Sequence, residues 1–155
     1  MTRWTGSWLS GPRAALEPGD QPAAGQRWRG ERLGLPETGP GSVATLGARA
    51  LALVIDVVLA ALIAWGFTAP APPQNWSLVP WFLITVATVA FFGFTPGMYA
   101  LGIRVARMDG AVMVGPIRAI PRTIMVFLVI PALISNADGR GLHDRAVGTI
   151  VLRFR

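Results

Sequence analysis

The sequence of 155 residues contains no cysteine and no lysine, so all 14 of its basic residues are arginine. The lack of cysteine excludes disulfide bonds, thiolate metal sites and a cysteine nucleophile. Charge of either sign is also scarce, because 14% of the residues are charged, against ~25% in an ordinary soluble domain. Between Asp56 and Arg104 no residue is charged. This composition excludes an ordinary soluble fold and indicates a protein of the lipid bilayer.

The net charge of +6 does not indicate a nucleic-acid-binding protein. Such a protein gathers its basic residues on one solvated face, whereas these arginines flank apolar runs. Arginines beside apolar runs are typical of a membrane protein, which has its positive charge in the cytoplasmic loops. The predicted partners are therefore the lipid bilayer and other membrane proteins, and not nucleic acid.

Three helical segments are predicted. The first covers about residues 47–67 and the second about 76–94, and both are close to the length that a ~30 Å hydrocarbon core requires at ~1.5 Å per residue. A third segment, about 116–135, is interrupted by Pro131 and has a shorter uninterrupted apolar run. We expect it to be embedded or re-entrant.

Short β-favouring stretches at 101–109 and 149–155 are predicted to pair beside the membrane. Residues 1–45 contain 13 glycines and prolines in total and are predicted to form a disordered cytoplasmic tail. The predicted fold class is thus an all-α membrane protein with two transmembrane helices, a third short embedded or re-entrant helical segment, a small cytoplasmic β pairing and a disordered tail. The predicted membrane domain is 46–155.

The arginines predict the orientation in the membrane. The tail contains five arginines, the loop between the first two helices contains none, and arginines follow the second helix. The N-terminus is therefore expected in the cytoplasm. Two full spans place the C-terminal arginines in the cytoplasm too, whereas three full spans would place them outside. We favour two spans and keep three as the alternative.

Asp56 lies near the middle of the first helix, where an ionised carboxylate costs at least ~2.5–3.5 kcal/mol. Arg49, seven residues earlier, is on nearly the same helical face. The expected partners of Asp56 are Arg118 or Arg122 on the third segment, or Arg49 of a neighbouring subunit. Two interpretations stay open. One is an ion pair that locks the first helix against the third segment, and the other is a carboxylate that binds a proton or ion for transport.

Asp144 follows the only histidine, His143, in a pair that is similar to part of a metal-phosphohydrolase motif. That chemistry requires several histidine ligands, so no metal or other cofactor is predicted. Arg140 and Arg145 flank the pair. We predict a cytoplasmic salt-bridge and turn-capping cluster, with Thr149 as a hydrogen-bond partner of Asp144.

Three stretches together resemble the RDD family of small bacterial membrane proteins, named for one Arg and two Asp. They are GARALALVIDVVLAAL, with Arg49 and Asp56; FTPGMYALGIRVARMDG, residues 94–110; and GLHDRAVGTIVLR, with Asp144. The resemblance covers about 43–153, departs from the family pattern at Met98 and implies a bacterial plasma-membrane protein. Some members of the family are proposed to act in transport, including cation/proton antiport.

Two functions are predicted as alternatives. The first is ion or small-solute transport through Asp56, which requires a homo-oligomer because one chain has too few helices to enclose a path. The second is a non-transporting accessory or scaffold subunit of another membrane complex. No nucleophile motif surrounds any serine, and the chain is predicted not to be an enzyme.

Overall fold

The computed structural model describes residues 26–128 and 139–155. Helix α1, Leu46–Thr68, begins where the Thr45 side chain accepts a hydrogen bond from the amide of Ala48. A 3-10 turn, Gln74–Ser77, leads into helix α2, Leu78–Phe92, which ends at Gly93 with a left-handed φ of 76°. The two predicted long helices are therefore present, with bounds that differ from the expected ones by a few residues.

Both helices are long and apolar enough to cross a membrane. The two stretches are Leu46–Thr68, with 23 residues, and Gln74–Phe92, with 19. A stripe of α1 that repeats every four residues is buried, and it consists mainly of alanine. Small residues at this spacing let two helices approach closely. Large apolar side chains cover the outer faces, among them Leu51, Val58, Leu62, Phe91 and Phe92.

Helix α3, Pro96–Ala100, packs directly on the backbone of α1. Thr95 begins the helix by accepting a hydrogen bond from the amide of Met98. Gly97 lies so close to α1 that a β-carbon at this position would be 2.2 Å from the carbonyl oxygen of Ala52. Only glycine allows this approach, which fixes the position of the chain as it leaves α2.

Strand β1, Ile103–Arg107, pairs antiparallel with strand β2, Thr149–Arg153, with Val105 opposite Val151. This confirms the predicted pairing. Because β1 precedes residues 108–148 and β2 follows them, that whole segment begins and ends at the same end of the molecule. The two strands also bury Ile103, Val105 and Val151 in the core.

The predicted disordered tail does not extend to residue 45. Three backbone hydrogen bonds of 2.8–2.9 Å join this part of the chain to β2. The amides of Gly41 and Ala44 donate to the carbonyls of Arg153 and Val151, and the amide of Arg153 donates to the carbonyl of Ser42. Residues 41–44 therefore lie along the free edge of β2, where unpaired backbone groups need partners. Val43 and Ala44 are buried there. Residues 1–25 of the predicted tail lie outside the described residues.

Helix α4, Pro116–Phe127, begins where the third helical segment was predicted and buries Ala119, Arg122 and Thr123. The remainder of that prediction, residues 129–135 with Pro131, lies outside the described part of the chain. Helix α5, Leu142–Ala146, is a single turn before β2 and buries His143 and Asp144.

Replacement of Gly97 by alanine is expected to destabilise the protein by at least ~1–3 kcal/mol, because the new methyl group overlaps the α1 backbone. Gly47→Ala is the matched control, since nothing lies within 4 Å of a β-carbon there. The measurement is thermal unfolding in detergent, followed by the helical circular dichroism signal. Equal stability of the two variants would contradict the close contact between α1 and α3.

Candidate functional site

Asp144 is the centre of a buried cluster of charges that joins three helices. Its side chain is 0% exposed. One oxygen, Oδ2, accepts from Nη1 of Arg49 on α1 at 3.2 Å, and the other, Oδ1, accepts from Nε of Arg122 on α4 at 3.1 Å. Ion pairs with both arginines satisfy a carboxylate that could not otherwise be buried. The cluster therefore ties α1 and α4 to α5.

Further contacts hold this carboxylate in one orientation. The hydroxyl of Thr149 donates to Asp144 Oδ1 at 3.2 Å, as predicted, and His143 Nε2 lies 3.4 Å from the same oxygen. Burial raises the pKa of Asp144, but Arg122, His143, Arg49 and the Thr149 hydroxyl together outweigh it and hold the pKa below its ordinary value. Asp144 is thus anionic at neutral pH.

The cluster differs from the predicted one in its partners and its burial. Arg140 does not pair with the Asp144 carboxylate; it donates to the backbone carbonyls of Thr149 and Asp144 at 3.1 and 3.5 Å. Arg145 is half-buried on α5. The ion pairs come instead from residues 95 and 22 positions away, because α5 turns its carboxylate toward the helices rather than toward solvent.

Asp56 is a second buried carboxylate, 7% exposed, and its partners are neutral. It accepts from the amide of Gly97 at 2.7 Å and from the hydroxyl of Thr95. The prediction that Arg118 or Arg122 of the same chain pairs with Asp56 is wrong. Within the described residues no arginine forms an ion pair with Asp56, because Arg122 and Arg49 pair with Asp144 instead.

Arg118 lies away from both carboxylates. It faces Asp109 at 3.4 Å, and Asp109 in turn pairs with Arg107. Hydrogen bonds from Arg107 are the largest cause that lowers the pKa of Asp109 to about 2, but this group is at the surface. Arg118 therefore belongs to an exposed ion-pair network, which has little effect on stability.

A cavity of about 100 Å³ lies between α1, α2 and α4, and we call it the interhelical cavity. Asp56 and the Asp144 cluster meet there, although they form no ion pair with each other. Polar side chains from several elements line it: Arg49, Asp56, Thr85, Thr95, Arg122 and His143. Trp81, Leu53 and Val126 form much of its apolar wall. The cavity is large enough to admit water molecules.

The sequence analysis did not identify Thr95, Gly97 or Trp81 as site residues. The predicted second helix ends at about residue 94, and the threonine before a proline that follows it is a helix-start signal. That signal places Thr95 and the Gly97 amide at the N-terminus of α3, where a carboxylate is favoured. Trp81 has no distinguishing pattern, because an apolar helix contains many such side chains.

Comparison with family models, with curated proteins and with solved structures gives no match. The resemblance to the RDD family therefore stays a prediction. Among residues 26–128 and 139–155, no group of three histidine, aspartate or glutamate side chains is placed to hold a metal ion. The chemistry available at the site is therefore that of two carboxylates, two guanidinium groups, an imidazole and hydroxyl or indole donors.

Replacement of Asp144 by asparagine is expected to destabilise the protein by ~3–5 kcal/mol, because it leaves the buried Arg122 and the partly buried Arg49 without a counter-charge. Asp109→Asn is the matched control and should change stability little, because its ion pairs are exposed. Denaturant unfolding of both variants in detergent measures the difference. A similar loss in the two would show that the buried cluster does not stabilise the fold.

Proposed function

We propose that this chain is an integral membrane protein of the RDD type in the bacterial plasma membrane. In this proposal the N-terminus is cytoplasmic, and Asp56 takes part in ion or small-solute transport by a homo-oligomer. The two apolar helices with their exposed apolar faces support insertion into a bilayer. The RDD assignment is supported by the direct pairing of Arg49 with Asp144, two of the three residues for which that family is named.

The sheet supports two full spans over three. Strand β2 lies between β1 and residues 41–44. The chain before α1, the chain after α2 and the C-terminus consequently meet at one end of the molecule. A third full crossing between β1 and β2 would carry β2 to the opposite side of the membrane. The segment that contains α4 therefore enters and leaves from the cytoplasmic side.

A reporter fused after Arg155 tests this orientation. Green fluorescent protein at this position is expected to fluoresce, and alkaline phosphatase is expected to be inactive, because the C-terminus is cytoplasmic. Fusion of the same reporters after Pro73, in the uncharged loop between α1 and α2, should give the opposite pattern. Active phosphatase after Arg155 would contradict the two-span arrangement.

The observation that carries the transport proposal is the setting of Asp56. The carboxylate is buried within α1, lines the interhelical cavity, and receives hydrogen bonds from neutral groups alone in the described part of the chain. An ionised carboxylate in an apolar medium with no cationic partner is unfavourable. Such a group is stabilised when it binds a proton or a cation. Binding of a proton or a cation is what a carrier residue must do.

Transport also requires a path that a single chain does not enclose. The part of the chain that the structure describes offers two helices long enough to span the bilayer, and large apolar residues cover their outer faces. A homo-oligomer would place several copies of α1 and α2 around a common axis. The Asp56 carboxylates of the copies would then be available to one path.

Replacement of Asp56 by asparagine is expected to reduce ion flux to the protein-free background. The measurement is proton movement across liposomes that contain purified protein and an imposed Na⁺ or K⁺ gradient. Asparagine keeps an acceptor for the Gly97 amide, so the variant should unfold at nearly the wild-type temperature. Asp56→Glu, which keeps the titratable group, should retain part of the flux.

Wild-type flux in the Asp56→Asn variant would contradict the carrier role. Absence of any flux through the wild-type protein would favour the alternative function, an accessory or scaffold subunit. In that case Asp56 would serve to hold α1 against α3, and a stoichiometric membrane partner should co-purify with the chain in mild detergent.

A further inference from the structure

The interhelical cavity contains hydrogen-bond donors that have no acceptor in the described part of the chain. The indole Nε1 of Trp81 and the Nε of Arg49 are both buried without a partner. The hydroxyl of Thr85, on a residue 5% exposed, also lines the cavity. Arg122 lines it too and donates from Nε to Asp144. Buried polar groups normally have partners, so the unpartnered donors of Trp81 and Arg49 indicate a ligand.

The acceptors that line the same cavity are already engaged. The oxygens of Asp56 accept from Thr95 and Gly97, and those of Asp144 accept from Arg49, Arg122 and Thr149. None of these oxygens accepts a hydrogen bond from Nε1 of Trp81 or Nε of Arg49. A ligand that supplies oxygen acceptors would give these two donors a partner, whereas a cation would not.

The charge of the Asp144 cluster favours an acceptor that is itself anionic. Arg49 and Arg122 carry two positive charges, and Asp144 carries one negative charge. Asp56 lines the same cavity, so the cavity has a net positive charge only while Asp56 is protonated. A guanidinium group binds a carboxylate well, because its parallel N–H groups match the two oxygens. The remaining positive charge lies at the cavity wall, next to the unpartnered donors.

The rest of the cavity wall is apolar and continues into a neighbouring groove. Leu53, Trp81 and Val126 line both spaces, and the groove extends past Leu78 and Phe127 with a volume of about 180 Å³. The Trp81 ring lies against Phe127, with ring centroids 6.3 Å apart. The shape is thus a polar end joined to an apolar channel along α1.

We propose that the interhelical cavity binds an organic carboxylate with an apolar chain, of the fatty-acid type. Its carboxylate accepts from Arg122, Arg49, Trp81 and Thr85, and its chain lies in the groove past Val126. The whole cavity has a volume of about 100 Å³, which suits a carboxylate better than the larger head of a phospholipid with its glycerol and second chain. This site goes beyond the proposed function and does not depend on ion flux through Asp56.

The test is binding of dodecanoate to the purified full-length protein, followed by native mass spectrometry and by thermal stabilisation in detergent. One dodecanoate per chain is expected to bind in a saturable way. Thr85→Val removes one donor and keeps the shape of the side chain, and Trp81→Phe removes the indole N–H and keeps a smaller aromatic ring. Each is expected to weaken binding about tenfold, in line with the loss of a hydrogen bond to a charged group.

Thr88→Val is the matched control on the same helix. Its hydroxyl donates to the carbonyl of Ile84 at 2.7 Å, and its side chain does not line the cavity. Binding by this variant should equal that of the wild type. Equal affinity in the Trp81, Thr85 and Thr88 variants, or absence of saturable binding to the wild type, would overturn the proposal.

Two further arms define the ligand and separate this proposal from ion transport. Dodecanol and phosphatidylglycerol should not displace dodecanoate; displacement by either would overturn the carboxylate assignment. Asp56→Asn removes a negative charge from the cavity wall and should bind dodecanoate at least as tightly as the wild type, even where its ion flux is lost. Loss of binding in the folded Asp56→Asn variant would overturn the assignment of the ligand contacts.

Discussion

The pairing of one buried carboxylate with a buried arginine, Arg122, and a partly buried one, Arg49, is the constraint on which the interior of this protein depends. Asp144 is on a single helical turn that could not form a stable core by itself. Its position is set by Arg49 from α1 and Arg122 from α4, at 3.2 and 3.1 Å. Each of these charges would be strongly unfavourable if it were buried alone. The three elements therefore have to come together for any of them to be buried.

The two buried aspartates are held in different ways, and the difference separates their roles. Asp144 is surrounded by cationic groups that stabilise its ionised form. Asp56 receives a backbone amide and a hydroxyl, both neutral, at the beginning of α3. Asp144 therefore keeps a fixed charge and organises the helices. Asp56 fixes the α1–α3 contact in either protonation state, so a change in its charge leaves those donors in place.

The sequence predicted the parts of this fold that depend on local pattern. Long uncharged runs define α1 and α2, and β-favouring residues define β1 and β2, so their approximate bounds follow from the residues themselves. The partners of the buried charges could not be predicted in the same way. The spacing of residues along the sequence predicts which face of a helix they share. It does not predict which distant loop packs against that face.

Arg49 and Asp144 illustrate this limit. They are 95 residues apart and belong to an apolar helix and a one-turn helix, so no periodicity relates them. Asp56 was expected to need a cation because its depth in α1 predicts a large desolvation cost. The neutral donors at Thr95 and Gly97 depend on a glycine that lets two backbones approach closely. That contact is a property of packing, which the pattern of apolar residues does not specify.

The shared cavity makes the two carboxylates electrostatically dependent on each other even though they do not touch. Arg49, Arg122 and Asp56 line the same small cavity. In a medium of low effective dielectric, charges separated by a few side chains still interact appreciably. An anionic ligand near the arginines would favour the protonated form of Asp56, and protonation of Asp56 would favour the anion. By linkage these two effects must be equal in free energy, so binding of the proposed anion would be coupled to the protonation of Asp56.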